Sequence, residues 1–397
     1  MKFTVTKPRL LYAIDPPLCI TGGVSVLTQA LIKEFSKKYQ IYLLSSDSPE
    51  FLASCEIRNN LTGHFQWCPP GGPPRLKYLK YSEKLADQIA KQKITLAHFH
   101  SGFYNFGNRF LGFSLPRLLR RRGIRSVWTT HSTVPPLLNG YCGPQRRQWM
   151  KILLFPSGWL GKLCQIKNVE YEILVSQRDM LRMQKIWFPL KSKCKQIYHS
   201  TIDEMNLGQE TDHKTILNVG YISFIKRQDL IVQAFLGISD RYPDWELYFA
   251  GHDTNDGCRQ IIDQLIANSP NGNKIHFLGS RNDIGSLIQK CGIYVTASDF
   301  EGLPLAPQEA MHYGRPVLTS DIPAHKELLE SPGSGILFRQ NDSADLATKL
   351  DSLIQDSSLR KALGRQAKAS VVDRGMTKVA MLEKHSLLYQ KILTNSL

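Results

Sequence analysis

No stretch of the 397-residue chain approaches about 18 uninterrupted apolar residues, the least a bilayer-crossing helix needs. The run Ile152–Phe155 is stopped by Pro156 and Lys162. A spanning helix is therefore not expected. Met1 to Arg9 is polar and basic with no apolar core, which argues against a secretory leader. The eight cysteines, Cys19, Cys55, Cys68, Cys142, Cys164, Cys194, Cys258 and Cys291, include no Cys-x-x-Cys pair. That scatter fits neither a zinc site nor a disulfide framework and reads as thiols in a reducing cytosol. Two nucleotide signatures are missing as well. No Gly-x-Gly-x-x-Gly follows an expected strand, which speaks against a nicotinamide-dependent dehydrogenase, and no Gly-x4-Gly-Lys-Ser/Thr marks a P-loop hydrolase.

Acid is absent from one long interval. Between Asp87 and Glu170 there is no Asp or Glu but 13 Lys or Arg. Residues 1–200 hold 30 basic against 10 acidic side chains, +20, and residues 201–397 hold 20 against 24, −4, which together give the net +16. A solvated basic surface is the simplest reading. A basic half joined to a mildly acidic one also suits an anionic partner, lipid or nucleic acid. The interval carries no RNP-like, helix-turn-helix or zinc pattern, so nucleic acid is not expected and an anionic membrane surface is. Trp149, Phe155 and Trp159 among Arg146, Arg147, Lys151 and Lys162 fit core aromatics and an interfacial patch equally well. Arg120–Arg122 reads as a solvated helix end, where cations suit the helix dipole.

What is present is ordinary globular material, 42% hydrophobic and 21% charged, enough for two domains with separate cores. Strands and helices alternate throughout, the pattern of parallel sheets covered by helices. The first half predicts strands at Arg9–Ile14, Ile41–Ser46, Ile94–His100, Ser126–His131 and Tyr171–Ser176, with helices at Val24–Lys38, Tyr81–Gln92 and Arg109–Arg122. The second predicts strands at Thr215–Gly220, Trp245–Gly251, Lys274–Gly279, Ile293–Ser298, Pro316–Ser320 and Gly335–Phe338, with helices at Gln228–Ile238, Arg259–Asn268 and Asp283–Lys290. The polar stretch Thr201–Lys214 is the expected linker. The organisation is α/β: two Rossmann-like doubly wound domains, 1–200 and 201–375, facing across a cleft. Met381, Leu388 and Ile392 recur at helical spacing, so 376–397 is expected as a helix packing back on the first domain.

The most informative segment is Glu301-Gly-Leu-Pro-Leu-Ala-Pro-Gln-Glu309-Ala-Met-His-Tyr-Gly314-Arg-Pro-Val. It follows an expected strand, so Glu301 belongs to a loop at a strand's carboxyl end, where ligands bind in open α/β sheets. Proline suits a first helical turn, which predicts a helix beginning near Pro307 and places Glu309 in its first turn. There Glu309 would at least stabilise the helix dipole, by about 0.3–1 kcal/mol.

This Glu-x7-Glu segment, with its Gly-x-Pro-Val continuation, resembles the family-4 retaining glycosyltransferases of GT-B fold. Other residues fall in the family's order: Gly22-Gly23 after the first strand, His131 ending Trp-Thr-Thr-His, Val175-Ser176, and Asn218-Val-Gly220 followed by Lys226-Arg-Gln-Asp. The resemblance spans roughly residues 9–355. It implies a hexosyltransferase that takes a UDP- or GDP-type sugar nucleotide to a glycan or lipid-linked acceptor in cell-envelope or surface polysaccharide synthesis. The scattered thiols and the acid-free basic interval lead to the expectation of a cytoplasmic enzyme, peripheral on the inner face of the membrane. Gly22, Gly23, Gly220, Lys226, the N–H groups of Leu305 and Ala306, and Glu309 would bind the donor; His131 and Glu301 would be catalytic. With no Asp-x-Asp in the chain, no metal and no other cofactor is expected. His98 and His100 read as structural. Tyr221 stands where many relatives have Arg, so one phosphate-neutralising charge is either missing or supplied elsewhere, Arg227 being the candidate. An epimerase or phosphorylase on a related sugar phosphate remains the alternative within the same fold.

Overall fold

The computed structural model describes residues 7–15, 17–19, 22–67, 75–101, 106–108, 113–131, 161–186, 188–202 and 213–394. The chain divides into two compact units, Met1–Ile197 with Leu382–Leu397, and Tyr198–Met381.

In the first unit the strands are β1 (Arg9–Ile14), β2 (Gln40–Ser45), β3 (Leu61–Gln66), β4 (Leu96–Ser101), β5 (Gly107–Asn108), β6 (Phe113–Ser114), β7 (Arg125–Thr130), β8 (Tyr171–Leu174) and β9 (Cys194–Gln196). Seven of them form one parallel sheet in the order β3-β2-β1-β4-β7-β8-β9, and β5 and β6 pair separately. Leu10 to Ile14 are fully buried without alternation, because helices cover both faces of a parallel sheet. That is why β1 was legible as an apolar run. The edge strand β3 and the three-residue β9 were not foreseen: Leu-Thr-Gly-His-Phe-Gln is only half-buried and has no apolar stripe. The helix expected over Arg109–Arg122 is Leu115–Arg121, with 109–112 outside the described residues. The helix Gln177–Ile186 was not anticipated, and the one expected from Tyr81 already begins at Arg75.

The second unit holds β10 (Thr215–Val219), β11 (Glu246–Ala250), β12 (Ile275–Phe277), β13 (Ile293–Thr296), β14 (Val317–Ser320) and β15 (Ile336–Phe338). They form a parallel sheet in the order β12-β11-β10-β13-β14-β15. Successive β13 residues face opposite cores, Ile293 and Val295 with Phe235 and Phe249, Tyr294 with Met311 and Ala367. All six strands fall where the apolar runs predicted, trimmed at their ends. The sheet grows both ways from β10, so the loops after β10 and β13 diverge and leave a switch point at their carboxyl ends.

The helix Lys378–Thr394 closes the described chain. Within the first unit, Tyr389 is fully buried, its hydroxyl 3.2 Å from that of Tyr12 and its ring 5.0 Å from Phe35. Leu388 and Ile392 are buried beside it. Of the expected linker, residues 203–212 lie outside the described residues.

Candidate active site

In the second unit, the two loops that leave the switch point carry Lys226 and Glu301. The first begins at Gly220, whose φ of +155° favours glycine, although an added Cβ would find ordinary room. Gly251, after β11, has the same φ and no such room: a Cβ there would meet the Gly220 carbonyl oxygen at 2.0 Å. Lys226 Nζ forms an ion pair with Glu301 Oε1, and Ser298 Oγ donates to the same oxygen at 2.8 Å. Burial pushes the Glu301 carboxyl up. The Lys226 charge and the hydrogen bonds from Lys226 and Ser298 outweigh it, leaving Glu301 below the usual carboxylate range.

The helix after Glu301 runs Leu305–His312, starting two residues before the predicted Pro307. Glu309 therefore lies in its second turn, not its first, and does not serve the helix dipole. Its Oε1 accepts from Thr201 Oγ1 at 2.5 Å. Burial pushes its carboxyl up to about 7, with the Thr201 bond opposing. The N-cap is Pro304 and the third helical residue is Pro307, neither with an N–H, so the first turn's unbonded donors are Leu305 and Ala306.

The Arg227 guanidinium holds Asp229 through two bonds of 3.1 and 3.0 Å and lies 3.7 Å from Asp299. Tyr221 packs its ring 4.4 Å from His252.

In the first unit, His131 immediately follows β7, its N–H bonded to the Ser101 carbonyl at 3.0 Å. Its Nε2 lies 3.3 Å from His100 Nδ1, and burial pushes its imidazole down to about 3. His98 is buried between Tyr389 Oη at 2.5 Å and Thr129 Oγ1 at 2.7 Å, a packing role. Gly22 is the N-cap of the helix Gly23–Phe35, with an extended φ of −172° that any residue adopts. The loop before it is pinned by Asp47, which accepts the N–H groups of Leu18 and Cys19 at 2.9 and 2.7 Å. No sequence pattern marked Asp47, because its partners are backbone groups 28 and 29 residues away.

Two readings of the basic half need correction. Lys162 is completely buried in an ion pair with Glu172 and donates to Thr130 Oγ1 at 2.9 Å, so it is no interfacial cation. Arg122 is bound to Glu83 at 2.7 Å and Asp87 at 2.8 Å instead of ending its helix in water. Trp149, Phe155, Trp159, Arg146, Arg147 and Lys151 lie outside the described residues.

Two family profiles match the chain. Residues 21–176 match Glycosyltransferase Family 4 and residues 201–370 match Glycosyl transferases group 1, together taking in every residue of the candidate site. The chain belongs to the family-4 type of glycosyltransferases. An uncharacterised glycosyltransferase of Haemophilus influenzae is 27% identical over 182 residues, 45% of this chain and 50% of its own. The N,N'-diacetylbacillosaminyl-diphospho-undecaprenol alpha-1,3-N-acetylgalactosaminyltransferase of Campylobacter jejuni is 28% identical over 145 residues, 36% of each chain. The matched region thus spans half or less of these relatives. Among solved structures, Anabaena HepE in complex with UDP aligns with a TM-score of 0.74 at 14% identity, over 97% of this chain and all of that one, which shows the GT-B fold.

Within this glycosyltransferase, Lys226, Glu301, Glu309, Leu305 and Ala306 all lie on the second unit, after β10 and β13. His131, Gly22 and Gly23 lie on the first. The residues that the resemblance missed are Ser298 and Thr201, whose hydroxyls donate to Glu301 and Glu309. They are small, and only three-dimensional contact distinguishes them from other serines and threonines.

Proposed function

We propose that the chain is a retaining hexosyltransferase using a UDP- or GDP-type sugar nucleotide, with a glycan or lipid-linked acceptor of the cell envelope or surface polysaccharide. The observation that carries this is the Lys226–Glu301 pair at the switch point of β10 and β13, beside the unbonded N–H groups of Leu305 and Ala306. Transfer breaks the bond between the anomeric carbon and a diphosphate oxygen, so negative charge grows on the leaving group. Lys226 and the two amides are cationic or donor groups suited to that charge, and preorganised donors are usually the largest catalytic contribution. In the free enzyme Glu301 neutralises Lys226. With donor bound, Lys226 turns to the diphosphate and Glu301 accepts hydroxyls of the donor sugar. Glu309 accepts the ribose hydroxyls, and His131 serves as the second catalytic group. The acceptor hydroxyl attacks on the face the diphosphate leaves, and its proton passes to the departing phosphate oxygen, so configuration is retained without a protein nucleophile.

The acceptor side of the proposal draws on the Campylobacter relative, whose name specifies an undecaprenol-diphosphate-linked acceptor. No helix among the described residues is long and apolar enough to cross a membrane. The basic interval between Asp87 and Glu170 carries the further proposal that the enzyme docks on the inner face of the membrane. A thermal-shift screen with UDP, GDP, ADP and their sugar conjugates tests the donor assignment. A ligand at 100 times its dissociation constant adds about 2.7 kcal/mol of stability. Failure of every sugar nucleotide to shift the transition would refute it.

A further inference from the structure

His325 is the third residue of the helix Pro323–Leu328, which follows β14, and it is completely buried. Its Nδ1 lies 2.9 Å from the Ser320 carbonyl oxygen and 3.1 Å from Ser320 Oγ. Ser320 Oγ lies 2.7 Å from the Ser298 carbonyl oxygen, and Ser298 Oγ donates to Glu301 at 2.8 Å. Ser298 and Ser320 are themselves fully buried. The hydrogens in this chain can be assigned. A carbonyl oxygen only accepts, so the single Ser320 hydroxyl hydrogen goes to Ser298, and Ser320 can only accept from His325. His325 must therefore carry its proton on Nδ1. Burial holds the ring neutral, pushing it down to about 4 against the pull of Glu301. Its Nε2 is a buried lone pair without a partner.

The chain matters because of where it ends. β13 and β14 pair up to Thr296 and Thr319, and Ser298 lies beyond that pairing. The Ser320 hydroxyl is thus a bridge from the end of β14 to the loop that delivers Glu301. His325 clamps Ser320 from the other side through both its carbonyl and its hydroxyl.

We propose that His325 is a positioning residue for Glu301, acting through Ser320 and Ser298 to hold the carboxylate at the place the donor sugar occupies. This rests on the reading of Glu301 given above. His325 touches neither the nucleotide nor the sugar, so its loss should lower turnover and leave nucleotide affinity intact.

The test compares the full chain with His325→Leu, His325→Asn, Ser320→Ala, the His325→Leu/Ser320→Ala double variant and Glu301→Gln. Calorimetry with UDP reads binding, and release of UDP from the UDP-sugar chosen in the donor screen reads turnover. His325→Leu and Ser320→Ala should each lower kcat about ten-fold or more, with the UDP Kd within three-fold of wild type. The double variant should be no worse than the more damaging single one, because both cut the same chain. His325→Asn, which keeps an N–H near the Nδ1 position, should recover most of the loss. In the free protein, 15N shifts of labelled histidine should show a proton on Nδ1 of His325 between pH 6 and 8. A proton on Nε2 or an imidazolium there would overturn the proposal, as would wild-type turnover in His325→Leu, parallel loss of UDP affinity, or no advantage of Asn over Leu. Should Glu301→Gln itself turn over at the wild-type rate, the reading of Glu301 fails instead. If Glu301→Gln is impaired and His325→Leu is not, only the positioning role fails.

Discussion

If Glu309 accepts the ribose hydroxyls as proposed, its raised carboxyl should make nucleotide affinity depend on pH in a definite direction. In the free protein it binds a proton below about 7, because burial disfavours its charge and the Thr201 bond compensates only in part. Ribose hydroxyls donate to it in the proposed complex, and donors favour the ionised form. Binding therefore expels the proton, and affinity rises with pH up to about 7 and levels off above. If the bound carboxyl titrates at about 5 or below, linkage makes affinity about ten-fold weaker at pH 6 than at pH 8, or about 1.4 kcal/mol. The terminal phosphate of UDP titrates near 6 as well, so the informative quantity is wild type relative to Glu309→Gln, which shares the phosphate titration and lacks the carboxyl. Calorimetry with UDP at pH 6, 7 and 8 should show the ratio of Kd, wild type over variant, falling about ten-fold across the range. A ratio constant within two-fold would refute either the raised carboxyl or its contact with the ribose. Direct observation of the 13C-labelled Glu309 carboxyl in the free protein separates the two.

Lys226→Ala should weaken binding of the donor, while Glu301→Ala and His131→Ala should chiefly lower kcat. Loss of one charged contact costs about 1.5–3 kcal/mol, roughly 10- to 150-fold, and steady-state kinetics that leave Glu301→Ala at the wild-type rate with the fold intact would remove the central assignment. Transfer should survive EDTA if, as proposed, Lys226 and the Leu305 and Ala306 amides meet the diphosphate charge; complete loss restored by added metal would count against that arrangement. Lys162→Met leaves Glu172 buried without its counter-charge and should destabilise the protein by about 3–5 kcal/mol, whereas replacing both by apolar residues should cost much less; equal midpoints in urea for the two variants would contradict this. Wild type should sediment with anionic but not neutral liposomes at low salt, and changing Arg120, Arg121, Arg146 and Arg147 to Gln should release it. Arg122 is left in place because Glu83 and Asp87 already hold it. Equal sedimentation of variant and wild type would rule out docking through this interval.

The sequence by itself determined the alternation of strands and helices, because strands buried on both faces appear as unbroken apolar runs such as Leu10–Ile14 and Ile293–Thr296. It also determined the family, because Glu301 and Glu309 with the intervening prolines form one local, ordered pattern. Weakly apolar edges such as β3 and the short β9 stayed hidden, since a half-exposed strand has no contrast with a loop. The tertiary structure alone decided what each charge faces. Lys226 meets Glu301 from 75 residues away, Lys162 is buried against Glu172, Arg227 is paired with Asp229, and Glu309 sits two residues deeper in its helix than the prolines suggested. Strand pairing is what brings Ser298 and Ser320 together, and burial is what keeps His325 neutral beside them. A charge or a proton takes its meaning from the groups around it, and those are assembled only when the sheet closes.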